Sequence, residues 1–194
     1  MATKPGERKL QILQTLAEML QRPQGEKITT ASLAAKIEVS EAALYRHFAS
    51  KAQMFEGLIE FIEQTLFGLI NKITAEERSG VKQMEAVLSL LLGFARKNPG
   101  MTRVLIGDAL VNEDERLQAR INQLHDRLEA TLKQSLRIAA SQNEIAAGTD
   151  AAAQANLMMC YVAGRWHQFA KSGFKRDPTE AWPVQWKALL AGCL

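Results

Sequence analysis

Tyr45, Arg46 and His47 stand side by side in "VSEAALYRHFASK", Val39 to Lys51, and Lys51 closes the run. A phenol, an imidazole and two cations are hydrogen-bond donors, and donors at this density suit an anionic partner such as a nucleic-acid backbone. Catalysis fits the residues less well, because His47 lacks the paired acid and nucleophile that such chemistry needs. Cys160 and His167 lie seven apart and can share a helix face. Two ligands are too few for a zinc site, and no acidic residue has suitable spacing. Gly-rich phosphate loops are absent. The residues read as a binding protein rather than an enzyme, with no cofactor and no metal.

Donors need elements that aim them. "TTASLAAKIEVSEAALYRHF", Thr29–Phe48, has helix-turn-helix logic. One short helix bears Leu33, Ala34 and Ile37. A tight turn at Glu38-Val39 follows, with Val39 plugging the gap. Ser40 then caps a second short helix, where its hydroxyl satisfies an orphan N–H. On that helix Leu44 and Phe48 turn inward, while Ala42, Tyr45 and Arg46 point away. A helix that enters a major groove needs this arrangement. Small residues let its start approach base edges, and alanine methyls pack against thymine methyls.

The 194 residues are 47% hydrophobic, enough to bury a core. No run reaches the roughly 18 apolar residues of a membrane span, and the first residues, "MATKPGERKLQ", carry no apolar signal segment. Two cysteines make no disulfide framework, which suits a reducing cytoplasm. The net charge is +3. Residues 1–51 hold eight Lys/Arg against five Asp/Glu, so the whole excess sits in the first quarter of the chain. A basic end on a neutral body again suits an anionic partner there.

Leu, Ala, Gln, Glu, Lys and Arg dominate, and no period-2 alternation is sustained, which predicts helix nearly throughout. A first helix is expected over about 7–21, ended by "RPQGEK". Short helices follow over 31–37 and 41–47. Ser50 with Gln53 forms a capping box at the start of a long helix, whose stripe is Phe55, Ile59, Ile62, Leu66, Leu69 and Ile73. A helix over 81–97 ends at "KNPG", with Asn98 as cap and Pro99 at the first position of a helix reaching Leu110. Over 112–139, Leu117, Ile121, Leu124 and Leu128 form a seam. A helix over 150–171 is rich in small residues and Met. A last helix starts near Asp177, with Pro183 predicting a kink or a later start.

"ITTASLAAKIEVSEAALYRHFASK" resembles the DNA-binding segment of TetR-family regulators, over roughly residues 8–55. The family usually has Gly where this chain has Glu38, a helix-ending position that favours a left-handed backbone. A non-Gly residue there costs on the order of 1 kcal/mol. Ala49 replaces a frequent Pro. The resemblance implies that Thr29 and Thr30 bind phosphate, and that Ser40, Ala42 and Ala43 face base edges. It further implies that Tyr45 and His47 touch the backbone or neighbouring bases, and that Lys51 anchors a phosphate. Arg8 and Lys9 would reach the backbone or minor groove.

Similarity continues in "LLLGFARKNPGMTRVLIGDAL", "ERLQARINQL" and "RWHQFAKSGFKRDPTEAWP", which resemble the nucleoid occlusion factors of that family. This implies a homodimer on double-stranded chromosomal DNA that antagonises the tubulin-like division protein FtsZ. The expected location is cytoplasmic and nucleoid-associated. By helical geometry Met84, Leu88, Leu91 and Ala95 form a core face, and Leu90, Gly93 and Lys97 lie opposite it. Phe61 points about 120° from its own core stripe. With Asn98 these residues are the expected FtsZ surface. The alternative is a small-molecule-responsive TetR-type repressor with a pocket near Phe94, Met101, Met158 and Met159. The expected fold is all-α and TetR-like, with about nine helices. Residues 1–51 are the expected helix-turn-helix domain, and 52–194 a helical dimerisation and partner-binding domain.

Overall fold

Residues that favour helix make helix here. In a computed structural model, which describes residues 5–21 and 28–193, the elements are α1 (Pro5–Met19), α2 (Thr30–Lys36), α3 (Glu41–Tyr45), α4 (Lys51–Glu76), α5 (Gly80–Lys97), α6 (Pro99–Leu105), α7 (Glu115–Ser141), α8 (Ala151–Lys171) and α9 (Trp182–Ala191). Among the described residues there are nine α-helices and no strand. The expected break at "RPQGEK" lies outside the described residues. The chain packs as two units: residues 1–62 with 98–121, and residues 63–97 with 122–194.

In the first unit, α1 packs against α2 and α6, and α2 against α3. The core stripe of α1 is Ile12, Leu16, Met19 and Leu20, all buried. Leu33, Ala34 and Ile37 of α2 and Leu44 and Phe48 beside α3 are buried as well. The turn between α2 and α3 closes as a Schellman motif. Val39 N–H donates to Ala34 O at 3.0 Å and Glu38 N–H to Ala35 O at 3.2 Å. That geometry puts Glu38 at φ +57°, the left-handed backbone expected there. Glu38→Gly is therefore expected to stabilise the fold by about 1 kcal/mol, read as a raised circular-dichroism melting temperature.

Three helix ends depart from expectation. Ser50 Oγ does accept from Gln53 N–H at 3.1 Å, but the Gln53 carboxamide accepts from Ala49 N–H at 2.8 Å, one residue before the cap. Asn98 is the N-cap of α6 by position, yet its side chain makes no capping bond; its carbonyl instead accepts from Thr102 N–H and Oγ1. The helix from Pro99 ends at Leu105 rather than Leu110. Gly107 turns left-handed at φ +77°, and a separate 3₁₀ turn follows over Asp108–Leu110. The stripe of α4 also shifts. Ile70 is buried where Leu69 was expected, and Leu69 is exposed.

In the second unit, α5 packs against α8. Met84, Leu88, Leu91 and Ala95 are all fully buried. Trp166 is fully buried, and its Nε1–H donates to Leu91 O at 3.1 Å, tying α8 to the backbone of α5. The buried Ser135 hydroxyl donates to Gln83 Oε1 at 3.0 Å, and Gln83 Nε2 donates to Glu77 O at 2.7 Å, so both polar groups are satisfied. The seam of α7, whose Leu117 and Ile121 belong to the first unit, continues through Leu124 and Leu128 to Leu132 and Leu136, each at most 1% exposed. Asp150 caps α8. Backbone N–H groups of Ala153 and Ala152 donate to its carboxylate and hold its pKa below the ordinary range. Pro183 gives α9 a late start rather than a kink: the helix begins at Trp182, after Ala181 turns left-handed. Phe94, Met158 and Met159 are buried in this unit, and Met101 in the first.

Candidate nucleic-acid interface

Eight residues are expected to face an anionic partner, and α2, α3, the start of α4 and the residues flanking them carry all eight. Thr29 caps α2 through a capping box: its Oγ1 accepts from Ser32 N–H at 3.0 Å, and its own N–H donates to Ser32 Oγ at 3.1 Å. Thr29 itself is exposed. Ser40 caps α3, accepting from Ala43 N–H at 3.2 Å. Ser40 and Ala42 are exposed, and Ala43 is half-buried.

Thr30, Glu41 and Tyr45 are joined. Thr30 Oγ1 donates to Glu41 Oε2 at 2.6 Å, and the Tyr45 hydroxyl donates to Thr30 Oγ1 at 3.3 Å. This bridge links the start of α2 to both ends of α3, so the two short helices present one surface. Tyr45 is exposed, and His47 is half-buried just past the end of α3. Lys36 donates to Glu18 at 3.3 Å and fastens α2 to α1.

Lys51 begins α4. Its ammonium is paired with Glu113 and lies 5.7 Å from the centre of the Phe55 ring. Both partners of the pair are mostly shielded from water, with side chains 23% and 16% exposed. Asn112, left-handed at φ +66°, turns the chain just before Glu113. Arg103 lines the same cleft, donating to Asp108 at 2.7 Å and to Leu20 O at 3.2 Å. Lys9 lies 5.6 Å from the centre of the Phe48 ring, and Arg8 donates to Gln11 at 2.7 Å.

Sequence reasoning missed Glu41 and Glu113. Glu41 lies eleven residues from Thr30 and Glu113 sixty-two from Lys51, with no periodic signal to join either pair. The arrangement offers hydroxyls and one ammonium for phosphates, together with small residues at the start of α3 for base edges. Lys51→Ala is expected to weaken binding to the DNA the protein selects and to lower the slope of log affinity against log salt there by about 1. A salt titration with an unchanged slope removes Lys51 from the contact set.

The remaining predicted residues fall in both units. Phe61, in the first, is exposed on α4, and Asn98 is half-buried. Leu90, Gly93 and Lys97, in the second, lie on α5 away from its buried face. Leu90 is half-buried and Lys97 exposed. A Cβ built on Gly93 meets nothing within 4 Å. Phe67 is covered by Arg127, whose guanidinium lies 3.8 Å from the ring centre. No helix among the described residues is long and apolar enough to cross a membrane.

Comparison with known proteins agrees with this geometry. Residues 12–58 match the family described as bacterial regulatory proteins, tetR family. Residues 78–192 match the tetracyclin repressor-like, SlmA-like C-terminal domain. Nucleoid occlusion factor SlmA of Alteromonas mediterranea is 55% identical over 96% of this chain and 96% of that protein. SlmA of Marinomonas sp. is 49% identical over 97% and 96%. Among solved structures, a TetR-family regulator from Agrobacterium tumefaciens superposes with TM-score 0.80 at 16% identity, covering 97% of this chain and 98% of that one. The TetR-family regulator PfmR from Thermus thermophilus gives 0.78 at 20% identity, covering 94% and 98%. These structural likenesses show the fold. The sequence matches show more: the chain belongs to the TetR family of bacterial regulatory proteins and, within it, to the nucleoid occlusion factors named SlmA.

Proposed function

We propose that this chain binds chromosomal sites as a homodimer and, while bound, antagonises assembly of FtsZ, so that no septum forms over the nucleoid. The observation that carries the reading is 55% identity to a nucleoid occlusion factor along 96% of the chain, through both the DNA-binding and the C-terminal segments. Residues 1–51 serve as the DNA-binding domain and 52–194 as the dimerisation and partner-binding domain. The working location is the cytoplasm, on the nucleoid.

Thr29, Thr30, Tyr45, His47 and Lys51 take phosphates, and Ser40, Ala42 and Ala43 approach base edges. Dimerisation uses α8 and α9. On α8, Leu157, Cys160, Gly164 and His167 are exposed at spacings of three, four and three, one face of a helix. On α9, Val184 is 71% exposed. Apolar residues open to water on both helices favour pairing with their mates in a four-helix bundle. On α5, Leu90 supplies an apolar anchor, Gly93 admits a partner backbone and Lys97 attracts an acidic group. Phe61 and Asn98 contribute further contacts to FtsZ. The test is capture of FtsZ by the immobilised protein, with and without chromosomal fragments that it selects. DNA-dependent capture supports the adaptor; DNA binding with no capture at all leaves an ordinary repressor.

A further inference from the structure

Donors expected to seek phosphate are committed to carboxylates within the chain. The Tyr45 hydroxyl donates to Thr30, and Thr30 donates to Glu41, so a relay of two hydroxyls ends on one carboxylate. Lys51 is committed to Glu113 in the same way. Each carboxylate accepts the bond that, on the proposed reading, a phosphate oxygen would accept. We propose that Glu41 and Glu113 are specificity-determining residues, each holding a phosphate-seeking group until close contact with a cognate site displaces it. The inference rests on the reading of Thr30, Tyr45 and Lys51 as phosphate contacts.

The physical case turns on what the two kinds of binding depend on. Binding to arbitrary DNA is almost wholly electrostatic. A backbone loosely held by such binding meets Lys51 already neutralised, and meets Glu41 as a like charge. Neither internal pair has reason to open. At a cognate site, base-edge contacts from α3 draw the backbone within hydrogen-bond reach, and new charge-assisted bonds offset those given up. The exchange is sterically open at Lys51. Lys51 and Glu113 line a cleft of about 350 Å³ with Phe55, Arg103 and Asp108, so the ammonium can swing without repacking the core. The two carboxylates therefore weaken binding to arbitrary DNA more than binding to the right sequence.

The experiment compares the full chain with Glu41→Gln and Glu113→Gln on two duplexes of equal length. One is a chromosomal fragment selected by the unmodified protein, and the other is its scrambled sequence. Glutamine keeps the size of each side chain and one acceptor oxygen while removing the charge, and Glu41→Ala and Glu113→Ala act as second variants with the same expected direction. Each change should tighten binding to the scrambled duplex by roughly fivefold, the upper end for a single surface charge interaction. Binding to the selected duplex should change by less than about twofold, so the ratio between them falls. Glu113→Gln should also steepen the salt slope on scrambled DNA by about 0.9, and adding Lys51→Ala should remove that steepening. Unchanged or weaker binding to scrambled DNA, or equal tightening on both duplexes, overturns the inference. Failure of the underlying reading looks different: on the selected duplex, Lys51→Ala would leave affinity and salt slope untouched and Thr30→Ala would leave affinity untouched.

Discussion

Gly100→Ala is expected to cost the fold about 3 kcal/mol or more, at or beyond the upper range for overpacking a core. A Cβ at position 100 would lie 1.9 Å from Ala17 O and 2.9 Å from Ala17 C, with Leu20 Cβ at 3.2 Å. The obstacle is the backbone of α1, which cannot rotate away as a side chain can. Helices α1 and α6 cross here at backbone contact, and α1 in turn supports α2. On a total stability of about 5–15 kcal/mol this is a large fraction. For a chain of this length it lowers the melting temperature by roughly 6–12 °C. Circular-dichroism melts measure it directly, and a shift under about 2 °C would show that α6 slides at little cost.

Leu90→Glu is expected to abolish FtsZ capture by the DNA-bound protein while DNA affinity stays within about twofold. A carboxylate in place of an apolar anchor removes contact area and sets a negative charge where an acidic partner is proposed to dock. Losing a central anchor of this kind weakens binding by about 2 kcal/mol or more, roughly thirtyfold. Leu90 is only half-buried, and the inner face of α5 is carried by Leu88, Leu91 and Ala95, so folding should survive. Lys97→Asp should act in the same direction by reversing an exposed charge. Two measurements decide the matter: capture of FtsZ on DNA, and division rate in cells making the variant. If both variants still slow division when bound to DNA, the face of α5 has no such role.

Much of this was legible in the residues because local rules decide local geometry. Glu38 takes the left-handed backbone that the helix-ending position demands. Ser40 caps α3, Leu44 and Phe48 turn inward, and Tyr45 turns outward. The buried face of α5 follows from helical spacing alone. What stayed hidden depends on partners distant in the chain. Thr30 meets Glu41 across a turn, and Lys51 meets Glu113 from sixty-two residues away. No periodicity encodes either pairing. Gly100 falls in the boundary read from "KNPG", whereas its larger role is to let two helix backbones touch. The stripe of α4 drifted from Leu69 to Ile70 because helical spacing alternates between threes and fours, and packing, not count, selects which.

The open space over Gly93 bears on what shaped this helix. Glycine in a helix interior is about 1 kcal/mol less favourable than alanine. Close packing would justify that sacrifice, but an added methyl at 93 meets nothing within 4 Å. The fold therefore forgoes stability that a single methyl would supply. On the proposed reading of α5, position 93 is a berth kept clear for a visitor rather than a joint in the architecture, tuned for occupancy rather than endurance.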